Sequence, residues 1–291
     1  MKHFKNAARI AAITAVAAFG LTACVGGAET TTTEAAAGTT GLPQTIKDAG
    51  KIRIGLSPDF PPMEFRDSDK KLSGVDIDLQ QKLGEVLGVE IEVVESPFDQ
   101  LINSVQTGRV DLVMSGISDT AERQKTADFV DYFKSQGSLY TSGARAGEFT
   151  KQSDICGKKL AVSGKTDYFE QVKTLSKTVC TDNGLPELSI LPTDSGAAAR
   201  LQIEQGRVDL AAQGGENLAY FAKTEPGKYA AVLDPLPAKP FGVLMQKDNT
   251  QLANAVKDAF AKIIESGDYQ KILDKWGVGY GAMTPEINGV K

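Results

Sequence analysis

The pentapeptide Gly-Arg-Val-Asp-Leu occurs twice in this chain, at 108–112 and again at 206–210. Each copy closes an amphipathic stretch and opens an apolar one. In the first, Leu101, Ile102 and Val105 recur at helical spacing, Gly108 supplies the stop, and Val110 to Met114 runs apolar into Ser115-Gly116-Ile117-Ser118. In the second, Leu201 and Ile203 precede Gly206, and Val208 to Ala212 leads into Gln213-Gly214-Gly215-Glu216. A helix, a buried strand and then a loop of small or polar residues is the unit that sets ligand groups at the carboxyl edge of an α/β sheet. Two copies predict two α/β lobes whose loops face one another.

Upstream of the first copy, Ile52 to Leu56 reads as a strand, and Ser57-Pro58-Asp59-Phe60-Pro61-Pro62 as a stiff loop in which three prolines forbid continued ladder pairing. Gly74 then opens a helix in which Leu79, Leu83, Val86 and Leu87 share one face, with Gly88 as its stop. Val89 to Val94 is the next strand, and β-α-β order predicts that the two strands pair in parallel.

The N-terminal segment is of another kind. Lys2, Lys5 and Arg9 precede an apolar run from Ile10 to Gly20 that is too short to span and stay in a membrane, and Leu21-Thr22-Ala23-Cys24 has the form of a bacterial lipobox. The expected product begins at Cys24, which carries lipid, after removal of residues 1–23. Residues 24–44, rich in Thr, Ala, Gly and Glu, read as a flexible tether that holds an exported, lipid-anchored protein at the cell membrane. Losing three cations and no acid takes the net charge from −5 to −8, which argues against a nucleic-acid partner and against polybasic membrane binding.

Composition removes whole classes of chemistry. The one histidine, His3, lies in the segment expected to be cut away. A chain without imidazole runs no Ser-His or Cys-His nucleophilic catalysis and lacks the commonest transition-metal ligand. Two cysteines remain, Cys156 and Cys180. Outside the cytoplasm an even pair is most simply a disulfide, and closing a loop of about 25 residues stabilises a fold by roughly 3.5 kcal/mol in the chain-entropy model. No metal, cofactor or catalytic residue is expected.

The densest local chemistry is Ser115-Gly116-Ile117-Ser118-Asp119-Thr120-Ala121-Glu122-Arg123. Asp119 with Glu122 three residues on has the form of a capping box, which predicts a helix starting there with its free N–H groups aimed at the cleft and Arg123 in its first turn. Hydroxyls, backbone N–H groups and a guanidinium together suit a carboxylate, which Arg takes bidentately.

Three segments carry a family resemblance: Gly74-Val75-Asp76-Ile77-Asp78-Leu79, the run from Asp119 through Arg123 to Asp128 and Phe129, and Gly267 to Gly277 near the C-terminus. Together they resemble the family 3 extracellular solute-binding proteins of ABC importers, typified by polar amino-acid receptors, with Val75 where that family usually has Phe. The resemblance implies a two-lobed, type II periplasmic-binding-protein-like clamshell, each lobe a mixed β-sheet flanked by helices, with a two-segment hinge. Residues 45–136 and 241–291 would form the first lobe and 137–240 the second. A monomer that captures an amino acid or a similar solute and delivers it to a membrane permease is the implied role, with no enzymatic activity.

Position by position, the same resemblance makes Phe60 and Phe98 aromatic walls, Ser57 a polar group near the ligand's ammonium, and Ser115 or Gly116 a backbone carbonyl partner. Ser118 and Arg123 would hold the α-carboxylate, and Thr166 and Asp167, in Ser163-Gly164-Lys165-Thr166-Asp167, would close over it from the second lobe. The family usually carries an Asp for the ammonium where this chain has Gly214, flanked by Gln213, and Ser57 stands where many members have Asp. Either Glu216 or Asp59 replaces those acids, or the ligand is not a simple primary α-amino acid. Two other roles share the architecture: an exported cyclohexadienyl or arogenate dehydratase-like lyase, with Glu216 as its general acid, and a ligand sensor for a signalling partner.

Overall fold

The structure, a computed structural model, describes residues 41–291; the signal segment, Cys24 and nearly all of the expected tether lie outside the described residues. In chain order the first elements are α1 (Gln44–Ala49), β1 (Lys51–Leu56), β2 (Asp59–Phe60), β3 (Glu64–Arg66), β4 (Leu72–Ser73), α2 (Val75–Leu87) and β5 (Glu90–Glu95). Then come α3 (Leu101–Gln106), β6 (Leu112–Val113), β7 (Ala127–Ser135), β8 (Gly137–Ser142), β9 (Lys159–Ser163), α4 (Asp167–Leu175) and β10 (Ser189–Thr193). The rest comprises α5 (Gly196–Glu204), β11 (Leu210–Gly214), α6 (Gly215–Thr224), β12 (Tyr229–Val232), β13 (Lys239–Gln246), α7 (Thr250–Glu265), α8 (Asp268–Trp276) and β14 (Glu286–Ile287).

Two mixed sheets organise these elements. The first has the order β14-β7-β13-β6-β1-β5 and the second β10-β9-β11-β8-β12. As the β-α-β order predicts, β1 pairs in parallel with β5, with Lys51 opposite Glu90. Between them sits a small antiparallel sheet of β2, β3 and β4, so the prolines do not exclude pairing altogether. Asp59 and Phe60 pair with Phe65 and Glu64, because Pro58 and Pro61 flank those two residues and leave their ladder groups free. The chain crosses from the first sheet to the second at Gln136, between β7 and β8, and returns between β12 and β13.

The two pentapeptides occupy equivalent places. Gly108 and Gly206 both turn the chain with positive φ, +70° and +63°. The strands that follow, β6 and β11, each pair in parallel with a strand that began earlier, β1 and β9. The aspartate of each copy is tied to that neighbour by two bonds. Arg53 N–H donates to Asp111 Oδ2 at 2.8 Å while Asp111 N–H donates to the Arg53 carbonyl at 2.9 Å. Lys159 N–H likewise donates to Asp209 Oδ2 at 2.8 Å, and Asp209 N–H to the Lys159 carbonyl at 2.9 Å. One local solution to strand entry is used in both lobes.

Each lobe has its own core. In the first, Val75, Leu79, Leu83 and Leu87 form one buried row of α2 that meets Ile52, Ile54, Val243 and the α7 face of Leu252, Val256, Phe260 and Ile263. Full burial of such a side chain contributes about 1.5–3 kcal/mol. The second lobe packs Leu139, Leu160, Val162, Val172 and Leu210 together, with Cys180 buried among them and bonded to Cys156. Trp276 ends α8 as a structural residue. Its Nε1 donates to Asp78 Oδ2 at 2.7 Å and its ring meets Phe65 edge-on.

Candidate functional site

Where the loops at the carboxyl ends of the two sets of parallel strands converge, they enclose a cavity of about 590 Å³ with its mouth included. The first lobe contributes Asp59 and Phe60 from β2, Phe98 from the turn after β5, and Gly116, Ser118 and Arg123 from the chain after β6. Facing them are Ser163, Thr166, Asp167 and Tyr168 from the β9–α4 junction, Asp194, Ser195 and Gly196 at the start of α5, and Ala212 and Gln213 of β11.

Arg123 links the two walls. Its Nη1 donates to the Ser118 carbonyl at 2.7 Å and its Nη2 to the Lys165 carbonyl of the opposite lobe at 3.1 Å. Loss of solvent lowers its pKa while Asp167 and Asp119 raise it, and a guanidinium so placed stays cationic. Ser118 Oγ reaches the other way, donating to Asp167 Oδ1 at 2.7 Å. A third contact between the lobes runs from the Asn217 amide to the Pro61 carbonyl.

The helix expected at Asp119 is absent. Residues 123–125 make a single 3-10 turn, and Asp119 does not cap it. Its carboxylate instead accepts from Gln124 Nε2 and, more weakly, from Val290 N–H. Thr120 Oγ1 takes the Arg123 N–H at 3.2 Å. A turn this short carries little dipole, so the anion-attracting power of this wall rests on the Arg123 charge.

Phe60 and Gly116 fit one another. Gly116 has φ +49°, and a Cβ there would lie 2.7 Å from Phe60 Cδ1, so only glycine lets the ring lie against the loop. Phe60 also meets Phe241 edge-on, with ring centroids 6.0 Å apart. Beneath this floor lie two fully buried carboxyls. Asp76 accepts from Gly116 N–H at 2.8 Å and from Tyr132 OH at 2.7 Å, and Glu64 accepts from Ser115 Oγ at 2.8 Å. Burial raises both pKa values, Asp76 to about 6 and Glu64 well above its usual range, where the neighbouring Asp76 charge adds to the effect. Two carboxyls buried without a cation cannot both ionise, so Glu64 holds its proton.

Of the eleven residues expected at the ligand, eight line the cavity: Phe60, Phe98, Gly116, Ser118, Arg123, Thr166, Asp167 and Gln213. Ser57, Ser115 and Glu216 lie behind its walls. Ser57 N–H donates to Ser115 Oγ at 2.9 Å, and that hydroxyl donates onward to Glu64, while the Ser57 hydroxyl donates to Asp59 Oδ1 at 3.3 Å. Glu216 is fully buried at the start of α6, with both oxygens 3.1 Å from Ser135 Oγ. A Cβ on Gly214 would lie 1.8 Å from Glu216 Oε1. The Glu216 carboxylate therefore fills the side-chain space that Gly214 leaves empty. Burial raises its pKa to about 7.

Asp59, weighed above as a replacement acid, does line the cavity. It is exposed at the mouth, yet the protein around it excludes enough solvent to raise its carboxyl, against the Ser57 hydrogen bond and the charge of Arg200. Sequence reasoning missed Asp194, Ser195 and Gly196. The signal was present in Ser195, whose Oγ accepts from Ala198 N–H at 3.1 Å as the cap of α5.

Comparison with known proteins agrees with this geometry. Residues 52–279 match the model of the bacterial extracellular solute-binding proteins, family 3. The arginine-binding protein ArgT of Corynebacterium glutamicum is 29% identical over 242 residues, covering 83% of this chain and 79% of that protein. Among solved structures, an ancestral arginine-binding protein bound to arginine superposes with a TM-score of 0.70 at 28% identity, over 78% of this chain and 98% of its own. The ancestral amino acid-binding protein AncCDT-1, a precursor of cyclohexadienyl dehydratase, gives 0.71 at 28% identity, over 80% and 97%. With a matched region that spans both sheets and the cavity between them, the chain belongs to the family 3 bacterial extracellular solute-binding proteins.

Proposed function

We propose that the chain is the lipid-anchored receptor of an ABC importer, which closes on an amino acid and presents it to a membrane permease. The single observation that carries this reading is Arg123. Its guanidinium lines the cavity and spans from the Ser118 carbonyl of one lobe to the Lys165 carbonyl of the other. An α-carboxylate that lands there meets a cation, the Ser118 hydroxyl and Thr166 at once, and only when the lobes are together. The ammonium group would face the Gly116 carbonyl and the acidic surplus of the cavity, in which Asp59, Asp167 and Asp194 stand against one arginine. Relatives named as amino-acid-binding proteins support this ligand class. Cys24 would supply the anchor, and residues 45–136 with 241–291, and 137–240, would be the two moving bodies.

Binding rather than turnover is supported by the place of Glu216. The acid that a lyase would need lies behind the cavity wall, held by Ser135, and lines no part of the site. The test is a thermal-shift screen of the twenty amino acids with the wild-type chain and Arg123→Ala. A cognate ligand at one hundred times its Kd raises stability by about 2.7 kcal/mol, and Arg123→Ala abolishes that shift. An undiminished shift in the variant would remove Arg123 from the site.

A further inference from the structure

The second lobe's wall of the cavity carries a donor with nothing to donate to. Gln213 is 3% exposed and lines the site, and its Nε2 has no hydrogen-bond partner. Its orientation is fixed from behind, because Oε1 accepts from Arg200 Nη1 at 3.2 Å and lies 3.5 Å from Tyr140 OH. Turning the amide over would set its N–H groups against the Arg200 guanidinium. That guanidinium is itself held, with its carbon 4.3 Å from the centre of the Phe221 ring.

Nε2 lies beside the bare Cα of Gly196, where a Cβ would be only 2.5 Å away. Gly196 is also the first residue of α5, and its N–H and that of Ala197 have no acceptor among the described residues, since Ser195 takes only the N–H of Ala198 and Ala199. Helix N-terminus, amide N–H and nearby guanidinium all present positive potential to the same space. The first acid beside it is Asp194, adjacent in sequence and on the cavity wall.

We infer that this wall of the site selects an amino acid whose side chain ends in a neutral carboxamide or ureido group, its carbonyl oxygen accepting from Gln213 Nε2 and its N–H donating to Asp194. The assignment rests on the amino-acid receptor reading above and names the substrate class within it. A guanidinium or ammonium offers no acceptor and leaves the buried Nε2 unpaired, a loss that polar sites punish heavily. A side-chain carboxylate gains the donors but faces Asp59 and Asp194.

Citrulline and arginine have nearly the same shape and differ in one terminal oxygen for nitrogen, which makes them the deciding pair. Calorimetric titration of the full chain with L-citrulline, L-glutamine, L-glutamate, L-arginine and L-norleucine should give citrulline or glutamine at least about tenfold tighter binding than arginine and glutamate. Gln213→Met, which keeps the volume and removes the donor, should weaken the carboxamide ligands by about tenfold while norleucine changes by less than about threefold. Gly196→Ala, whose Cβ would press on the fixed Gln213 amide, should abolish the preference and also lower the ligand-free Tm. Arginine or glutamate binding tighter than both carboxamide ligands, or a Gln213→Met variant with unchanged preference, overturns the assignment and leaves the receptor intact. Failure of every amino acid to bind overturns both.

Discussion

Ser118 Oγ on one lobe donates to Asp167 Oδ1 on the other at 2.7 Å, and the same serine's carbonyl receives Arg123. One residue thus joins a contact between the lobes to the guanidinium proposed to bind the ligand's carboxylate, and the two should be coupled. Ser118→Ala should remove the hydroxyl bond and leave the carbonyl in place. The expected loss is about 1 kcal/mol, or roughly fivefold in ligand affinity. Titration calorimetry reads the affinity, and small-angle scattering should show a larger radius of gyration for the ligand-free variant. Equal affinity and equal compactness would disconnect this contact from closure.

Gly116 leaves no room for a side chain. Positive φ disfavours any side chain there, and the Phe60 ring occupies the space a Cβ would need. Gly116→Ala should destabilise by about 1–3 kcal/mol and also displace Phe60 into the cavity. Binding should weaken more than stability alone accounts for, which a comparison of chemical denaturation with ligand titration measures. A variant that melts lower yet binds normally would show that Phe60 is no wall of the site.

Most of this was legible in the chain because its signals are local. The repeated pentapeptide predicts the two helix-to-strand junctions, and both Gly108 and Gly206 turn as expected. The failures came where a tertiary partner outbid a local pattern. Asp119 and Glu122 have capping-box spacing, but Gln124 and the backbone near the C-terminus compete for the Asp119 carboxylate. Glu216 was expected in the site as a charge, and instead it fills the space behind Gly214. Gln213 was visible as a polar residue after the strand; its value as an orphan donor depends on Arg200 and Gly196, which only the fold brings to it.

The equivalence of Asp111 and Asp209 makes a paired prediction. Each accepts a backbone N–H from the neighbouring parallel strand and also pairs with an arginine, Arg53 in one lobe and Arg145 in the other. Asp111→Ala and Asp209→Ala should each cost about 1–2 kcal/mol, the backbone bond supplying most of it because the ion pairs are partly exposed. Urea denaturation measures both. Hydrogen exchange should localise the loss to β1 and β6 in the first variant and to β9 and β11 in the second. If either substitution loosens both lobes equally, the lobes do not carry separate cores.

The buried acids fix the sign of the pH dependence. Glu216 has its pKa raised from 4.5 to about 7 by burial, and Asp76 from 3.8 to about 6. A carboxyl whose folded pKa lies above its unfolded one binds protons more tightly when folded. Its contribution is whole below the unfolded pKa and is lost as pH rises toward the folded value. Stability should therefore fall between about pH 4.5 and pH 7, opposite to the trend of a protein held by salt-bridged carboxylates. Glu216→Gln keeps the shape and removes the titration, so its Tm should fall less steeply over that window and exceed the wild type most at its upper end. Melting curves at half-unit steps from pH 4.5 to 8 decide the matter. A wild-type Tm that climbs across the window, or a Glu216→Gln slope identical to it, would mean that the Glu216 carboxyl ionises freely in the folded chain, and that water or a cation reaches the space behind Gly214.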